Sequence, residues 1–192
     1  NEILRNIDTR EDRSGRVLLA TAWELAEEII DYLKVLPGVT RVEAGGSLRR
    51  WRETVGDVDL IVAAEDPGAV LEEVAGHPGF KDLVREGSGR VRFQTGWGIP
   101  VDLEVVPAEA FAPALFLSTG SRAHLNRLQS LLAEKDSLFS RDAGGFREEG
   151  DIYASLGLPW IPISIIILVR RIIGIWAGLI PHSQDLGRIP EP

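Results

Sequence analysis

The chain has 192 residues, no cysteine and a formal net charge of −8. That length predicts one domain plus a small appendage, and the lack of cysteine excludes disulfides and thiolate metal sites. Apolar residues make up 44% and charged residues 26%, which excludes a wholly disordered chain. No apolar run near the start precedes a cleavage-like site, so we expect a cytoplasmic protein. The acidic charge predicts a weak general grip on nucleic acid, because phosphate contacts by Lys and Arg dominate such binding.

The first part of the chain predicts an α+β fold, a mixed sheet flanked by helices. Apolar residues at helical spacing predict a helix over 14–35, with Ser14 as its N-cap and Pro37-Gly38 as its end. Period-two patterns predict the strands 40–44, 57–63, 90–95 and 101–106, the last two joined through the turn 96–98. Further helices are expected from the glycine turn at 45–47 to about 53, and over 67–75.

Pro107 interrupts this pattern and marks a predicted domain boundary. Beyond it we expect helices over about 108–118, 121–134 and 149–155. The prediction is therefore a first domain over 1–107, a small, mainly helical domain over 108–160 and a tail over 161–192.

The tail is almost wholly apolar from Ile161 to Ile180, apart from Arg170 and Arg171. Its length would suit a membrane span. Two arginines near its centre would cost roughly 5–7 kcal/mol on insertion scales, which argues against a membrane role. An exposed patch this apolar would aggregate, so we expect a buried interface that makes a homo-oligomer.

Three carboxylates carry the predicted chemistry. Asp57 and Asp59 are two residues apart in a predicted strand, so they project from the same face. Asp102 lies on another strand whose opposite face is apolar. If the two strands are neighbours, the carboxylates converge and offer the hard oxygen ligands that Mg²⁺ or Mn²⁺ prefers. A solvated strand face is the alternative explanation for each of them.

Residues 45–50, Gly-Gly-Ser-Leu-Arg-Arg, form the second feature. Glycines at a strand-to-helix turn let backbone amides approach a phosphate, and the start of a helix favours its charge. Ser47 adds a hydroxyl donor, and Arg49 or Arg50 can hold phosphates in a forked contact. Alone, such a turn is more often just a loop.

Together these motifs resemble the palm of the family X DNA polymerases, the DNA polymerase beta family, and the bacterial members most of all. The matching stretches are 46–50 (Gly-Ser-Leu-Arg-Arg), 53–62 (Glu-Thr-Val-Gly-Asp-Val-Asp-Leu-Ile-Val) and 101–107. The stretches 119–121 (Thr-Gly-Ser) and 151–159 resemble the thumb of that family. The resemblance covers roughly residues 14–162, so 1–107 corresponds to the palm and 108–160 to the thumb.

The resemblance implies addition of a deoxynucleotide to the 3′-OH of primed or gapped DNA, with two Mg²⁺ or Mn²⁺ ions, as in DNA repair. Asp57, Asp59 and Asp102 would be the catalytic residues and metal ligands, with Asp102 nearest the primer hydroxyl. The residues implied to bind the deoxynucleoside triphosphate are Gly46, Ser47, Arg50, Gly56, Thr119 and Gly120.

The chain departs from the family at several positions. Glu104 stands where an arginine is usual, and Leu117-Ser118 replaces an aromatic pair that packs against the incoming sugar. Leu125 occupies the place of an asparagine, with Asn126 displaced by one position, about 100° around a helix. Helix-hairpin-helix motifs before residue 14 and a histidine-rich phosphoesterase domain after the thumb are not found, so we expect weak binding to DNA.

Two functional hypotheses follow. The first is a two-metal nucleotidyltransferase, a DNA polymerase core. The second is a catalytically inactive, engineered self-assembling scaffold derived from such a polymerase, in which the isoleucine-rich tail drives oligomerisation; the lack of methionine in the chain also suggests engineering or excision. A nucleotidyltransferase that modifies a protein or a small molecule is a third possibility, against which the thumb resemblance argues.

Overall fold

The computed structural model describes residues 15–131 and 145–161. Their strands are β1 (Val17–Leu18), β2 (Val39–Ala44), β3 (Thr54–Val55), β4 (Val58–Ala64), β5 (Lys81–Glu86), β6 (Arg90–Gln94) and β7 (Pro100–Val106). Their α-helices are α1 (Leu19–Lys34), α2 (Gly46–Arg49), α3 (Pro67–Gly76), α4 (Phe111–Thr119), α5 (Arg122–Leu131) and α6 (Glu149–Ser155). A 3-10 turn over Ala108–Ala110 precedes α4.

A mixed five-stranded sheet organises the described residues, with the strand order β2-β4-β7-β6-β5. The pair β4–β7 is parallel, and every other pair in this sheet is antiparallel. The strands β1 and β3 form a separate two-stranded ribbon. The predicted α+β class, a mixed sheet with helices, is confirmed.

The two central strands alternate between two apolar layers, and this alternation positions the site. Leu60 and Val62 of β4 enter the main core beneath α1. Ile61 and Ala63 point to the other face, where they pack with Phe111 of α4. Because side chains two apart share a face of a strand, Asp59 lies on the α4 side of the sheet.

The first helix begins later than the sequence pattern predicts. Helix α1 begins at Leu19, and its N-cap Leu18 makes no side-chain cap hydrogen bond. The prediction of a start at 14 was wrong because Val17 and Leu18 pair with Val55 and Thr54 in the ribbon. Tertiary pairing thus overrides local helical periodicity, while the predicted cap Ser14 lies outside the described residues.

Two more local predictions differ from the structure. Helix α2 ends at Arg49 rather than near 53, and Trp51 then adopts a positive φ of 53°. Strand β5 was missed because it is an edge strand with mostly exposed side chains and shows no apolar alternation. Only its pairing with β6 makes it a strand.

The helices that follow β7 form a third apolar cluster. Phe116, Leu128, Ile152 and Leu156 are buried together there. Helix α6 spans the predicted range, and α5 is described as far as Leu131.

Contacts within the chain divide it into two units after Trp160. The predicted interface tail lies outside the described residues from 162 onward. Within the described part, no helix is long and apolar enough to cross a membrane.

Candidate active site

The carboxylates meet where the parallel strands β4 and β7 begin. Asp59 and Asp102 are direct partners in the β4–β7 register, so the two side chains lie side by side on one face. Asp57 comes just before β4, which begins at Val58, so the predicted strand started one residue too early. The expected neighbourhood of these two strands is therefore present in the fold.

Asp59 is partly buried and has charged neighbours. Burial raises the pKa of Asp59 to about 7, and repulsion from Asp57 and Asp102 adds to the effect, while Arg50 and Arg90 oppose it. Neighbouring negative charges favour the protonated form of a buried carboxyl group, because water screens them poorly there. The site thus holds negative charge that its own arginines only partly compensate.

Asp102 is engaged by an arginine from the next strand. Arg92 of β6 faces Asp102 in the β6–β7 register, and its Nε and Nη2 donate to the two carboxylate oxygens at 2.5 Å each. This forked contact holds the pKa of Arg92 above its usual range, through the hydrogen bond first and the opposite charge second. Arg92 is not among the residues that the motifs predict for the site, although the β6–β7 hairpin brings it opposite Asp102.

The donor set suits a hard divalent cation, but the side-chain positions do not yet form a ligand sphere. Carboxylate oxygens are the ligands that Mg²⁺ and Mn²⁺ take. The pKa of Asp59 is raised first by burial and then by the charges of Asp57 and Asp102, which a cation would neutralise. Within residues 15–131 and 145–161, however, no three His, Cys, Asp or Glu side chains are grouped closely enough to hold a metal ion.

Glu104 has a cationic neighbour of its own. Its side chain is buried at 4% exposure and lies opposite Arg90 in the β6–β7 register. The Arg90 Nε lies 3.6 Å from its Oε2. The negative charge that Glu104 brings to this face is therefore partly balanced by the strand beside it.

The glycine turn closes directly over Asp59. The Gly45 amide donates to the Asp59 carbonyl at 2.8 Å. Gly46 has a φ of +52°, and a Cβ at this residue would overlap the Asp59 carboxylate. Only glycine meets both demands, since it has no Cβ and tolerates the left-handed region. The motif residue Gly46 thus lies against the second aspartate.

Ser47 presents a buried hydroxyl in the same turn. Its Oγ is shielded from solvent and has no hydrogen-bond partner among the described residues. A buried hydroxyl without a partner carries a desolvation cost, which a bound polar group would relieve. Because α2 has only four residues, its dipole adds little to anion binding, in contrast to the prediction from the glycine turn.

The two arginines of α2 and its C-cap reach the end of α4. Arg50 Nη1 donates to the Thr119 carbonyl at 2.6 Å, and burial lowers the pKa of Arg50. Arg49 donates to the Thr119 hydroxyl at 3.0 Å and makes a forked pair with Glu149 of α6 at 2.9 and 2.6 Å. These contacts join the glycine turn to the helices after Pro107.

The remaining predicted nucleotide residues lie at two places. Gly56 follows β3, where a Cβ would come within 3.3 Å of the Arg16 guanidinium. Thr119 is buried at the end of α4, and the Leu125 side chain packs closely against Gly120. Thr119 is thus linked to Arg49 and Arg50, whereas none of the contacts described for Gly56 and Gly120 reaches the carboxylates.

Comparison with known proteins agrees with this geometry. No family model matches the chain. The chain is similar to the DNA polymerase/3′-5′ exonuclease PolX of Bacillus subtilis (strain 168), with 29% identity over 175 residues. The similarity covers 85% of this chain and 31% of that protein, so the chain spans about a third of its relative's length. The resemblance to the family X polymerases predicted from the motifs is confirmed.

Proposed function

We propose, from this similarity to a PolX polymerase, that the chain is a nucleotidyltransferase core that adds deoxynucleotides to a primer 3′-OH on primed or gapped DNA. The observation that supports this most is the lateral pairing of Asp59 and Asp102 across parallel strands. Asp57 lies close enough to raise the pKa of Asp59, so all three carboxylates act on one site.

The proposed reaction joins the primer 3′ oxygen to the α-phosphorus of a deoxynucleoside triphosphate. The bond from that phosphorus to the β-phosphate oxygen breaks, and pyrophosphate leaves. The hydroxyl must also lose its proton. One of the carboxylates would accept that proton. Asp102 is suited to orient the hydroxyl from the neighbouring strand.

Asp57, Asp59 and Asp102 would hold the two divalent ions that the resemblance implies. Such ions supply Lewis-acid stabilisation of the charge on the transferring phosphoryl group. The residues of the glycine turn would hold the outer phosphates. Ser47 would donate its unpartnered hydroxyl, and Arg50 would contribute a fixed positive charge, already positioned through Thr119.

Primer extension on a short gapped duplex with Mg²⁺ or Mn²⁺ tests this function. D102N should lower the rate about a hundred- to a thousandfold, because it removes the anionic oxygen and changes little in size. D31N, on the exposed side of α1, is the matched control and should leave the rate unchanged. Equal rates for D102N and the unmodified chain would refute the proposed role of Asp102.

The isoleucine-rich tail gives the second candidate function, a self-assembling scaffold. Its support is the apolar run 161–180 in the sequence, which would otherwise be exposed to water. Sedimentation at micromolar concentration should find a homo-oligomer. A clean monomer rules out the scaffold, and nucleotide binding measured on the same sample decides whether the site also functions.

A further inference from the structure

The ion pair between Arg92 and Asp102 uses the atoms that a metal would need. Both Asp102 oxygens accept hydrogen bonds from the Arg92 guanidinium. A forked arginine occupies one in-plane lone pair on each carboxylate oxygen, and one lone pair per oxygen stays available. A cation that uses the lone pairs facing Arg92 must displace the guanidinium, and a cation that uses the others binds close to its positive charge.

The neighbouring pair shows that this arrangement is not just a general feature of the β6–β7 hairpin. Glu104 is almost wholly buried, and the Arg90 Nε lies 3.6 Å from its Oε2. The Asp102 side chain is 20% exposed, and the Arg92 side chain is 51% exposed. If Arg92 moves away, it therefore leaves a carboxylate that water or a cation can reach, whereas loss of Arg90 would leave a buried charge on Glu104.

The balance of charge favours the position of Arg92 beside Asp102. Asp57, Asp59 and Asp102 bring three carboxylates together on one edge of the sheet. Arg92 forms the most direct cationic contact that the described residues make with Asp102. A divalent ion would replace this single positive charge with a larger one, so that the two cations compete for the same oxygens.

We propose that Arg92 is a positioning residue that holds Asp102 in the metal-free site and competes with the divalent cation for it. The ion pair then sets the cation concentration at which the site assembles. This inference rests on the proposed function, because it takes Asp102 as a metal ligand.

The proposal can be tested without DNA or nucleotide by measuring how tightly the full chain binds Mn²⁺. The electron paramagnetic resonance signal of the free ion gives the amount that stays unbound. R92Q should bind Mn²⁺ roughly three- to tenfold more tightly than the unmodified chain, the range expected for losing a half-exposed forked ion pair. R92K keeps the charge but loses the fork, so its affinity should lie between the two.

R85Q is the matched control. Arg85 lies on β5, opposite Val91 on the other face of the sheet, and pairs with Glu72 instead. Its substitution removes the same charge without touching Asp102, so Mn²⁺ affinity should change less than twofold. Urea unfolding of each variant verifies that the hairpin is still folded.

The outcomes separate this proposal from the function on which it rests. If D102N weakens Mn²⁺ binding but R92Q binds no more tightly than the unmodified chain, the competition is refuted and the metal role of Asp102 stands. Weaker binding by R92Q would make Arg92 a support for the metal site, which also overturns the proposal. If D102N and R92Q both bind as the unmodified chain does, the metal role of Asp102 fails as well.

Discussion

Asp59 is the residue on which burial and charge repulsion act together. Its ordinary acidity would leave it ionised at neutral pH, but the folded chain raises its pKa to about 7. A folded-state pKa above the unfolded one means that the folded state binds the extra proton. The contribution of protonated Asp59 to the free energy of unfolding is fully present below about pH 4 and is lost as the pH rises through 7.

The replacement D59N should therefore stabilise the metal-free chain at pH 8 by roughly 2–4 kcal/mol, because the amide removes the buried charge. The gain should shrink to almost nothing below pH 4, where Asp59 is protonated in both states. Urea unfolding in the presence of a chelator measures both values. D31N serves as the surface control, and a D59N gain that does not grow with pH would contradict the assigned pKa.

Gly46 tests how tightly the turn closes over that carboxylate. G46A combines an unfavourable positive φ with an overlap on the Asp59 side chain. We expect a loss of about 2–4 kcal/mol in the free energy of unfolding, of which the backbone accounts for roughly 1–2 kcal/mol.

G87A isolates the backbone part of this effect. Gly87 has a φ of +71°, but nothing lies within 4 Å of where its Cβ would be. Its substitution should cost only about 1 kcal/mol in the same urea experiment. Equal losses for the two variants would mean that Asp59 moves aside at no cost.

At the scale of elements, the short helix α2 connects the sheet to the helices after Pro107. Arg49 and Glu149 form a forked pair with side chains only 19% and 13% exposed. A largely buried pair contributes little over an apolar one, yet removal of one partner leaves the other charge unpaired. The contact therefore fixes how α6 meets α2.

The variant E149Q should lower the free energy of unfolding by about 1–3 kcal/mol, because Arg49 then keeps a partly buried charge without its carboxylate. E72Q is the contrasting variant, since the Arg85–Glu72 pair has exposures of 45% and 71%. Its effect should stay below about 1 kcal/mol. If the two variants lose similar amounts of unfolding free energy, burial of the Arg49–Glu149 pair does not add to its contribution to stability.

At the scale of the whole molecule, the net charge of −8 limits contact with DNA. Many of the cations that the structure describes already have anionic partners. These paired arginines are Arg41, Arg49, Arg85, Arg90 and Arg92. Together with the net charge of −8, these ion pairs lead us to expect that the chain neutralises few phosphates.

Fluorescence anisotropy of a labelled gapped duplex should accordingly give a shallow salt dependence. We expect a slope of log affinity against log salt no steeper than about −3, which corresponds to about three phosphate contacts. The titration should run from low to physiological salt with the metal held constant. A slope of −6 or steeper would reveal a cationic surface that the net charge conceals.

The sequence by itself determined the elements whose pattern is local. The period-two alternation of β4 and β7 placed Asp59 and Asp102 on the strand faces opposite Leu60 and Leu103, and the glycine turn marked the closure over Asp59. The motifs also indicated the family resemblance that the PolX similarity confirms. These features depend on neighbours in the chain, so periodicity and spacing are sufficient to predict them.

Only the tertiary structure decided which elements meet. Strand order makes Asp59 and Asp102 neighbours, and hairpin register sets Arg92 against Asp102. Pairing in the β1–β3 ribbon delays the start of α1. A long-range hydrogen bond joins Arg49 to Glu149 of α6. Such contacts join residues tens of positions apart. Their partners are selected by how whole faces pack and how charges balance, and neither is encoded in a local pattern.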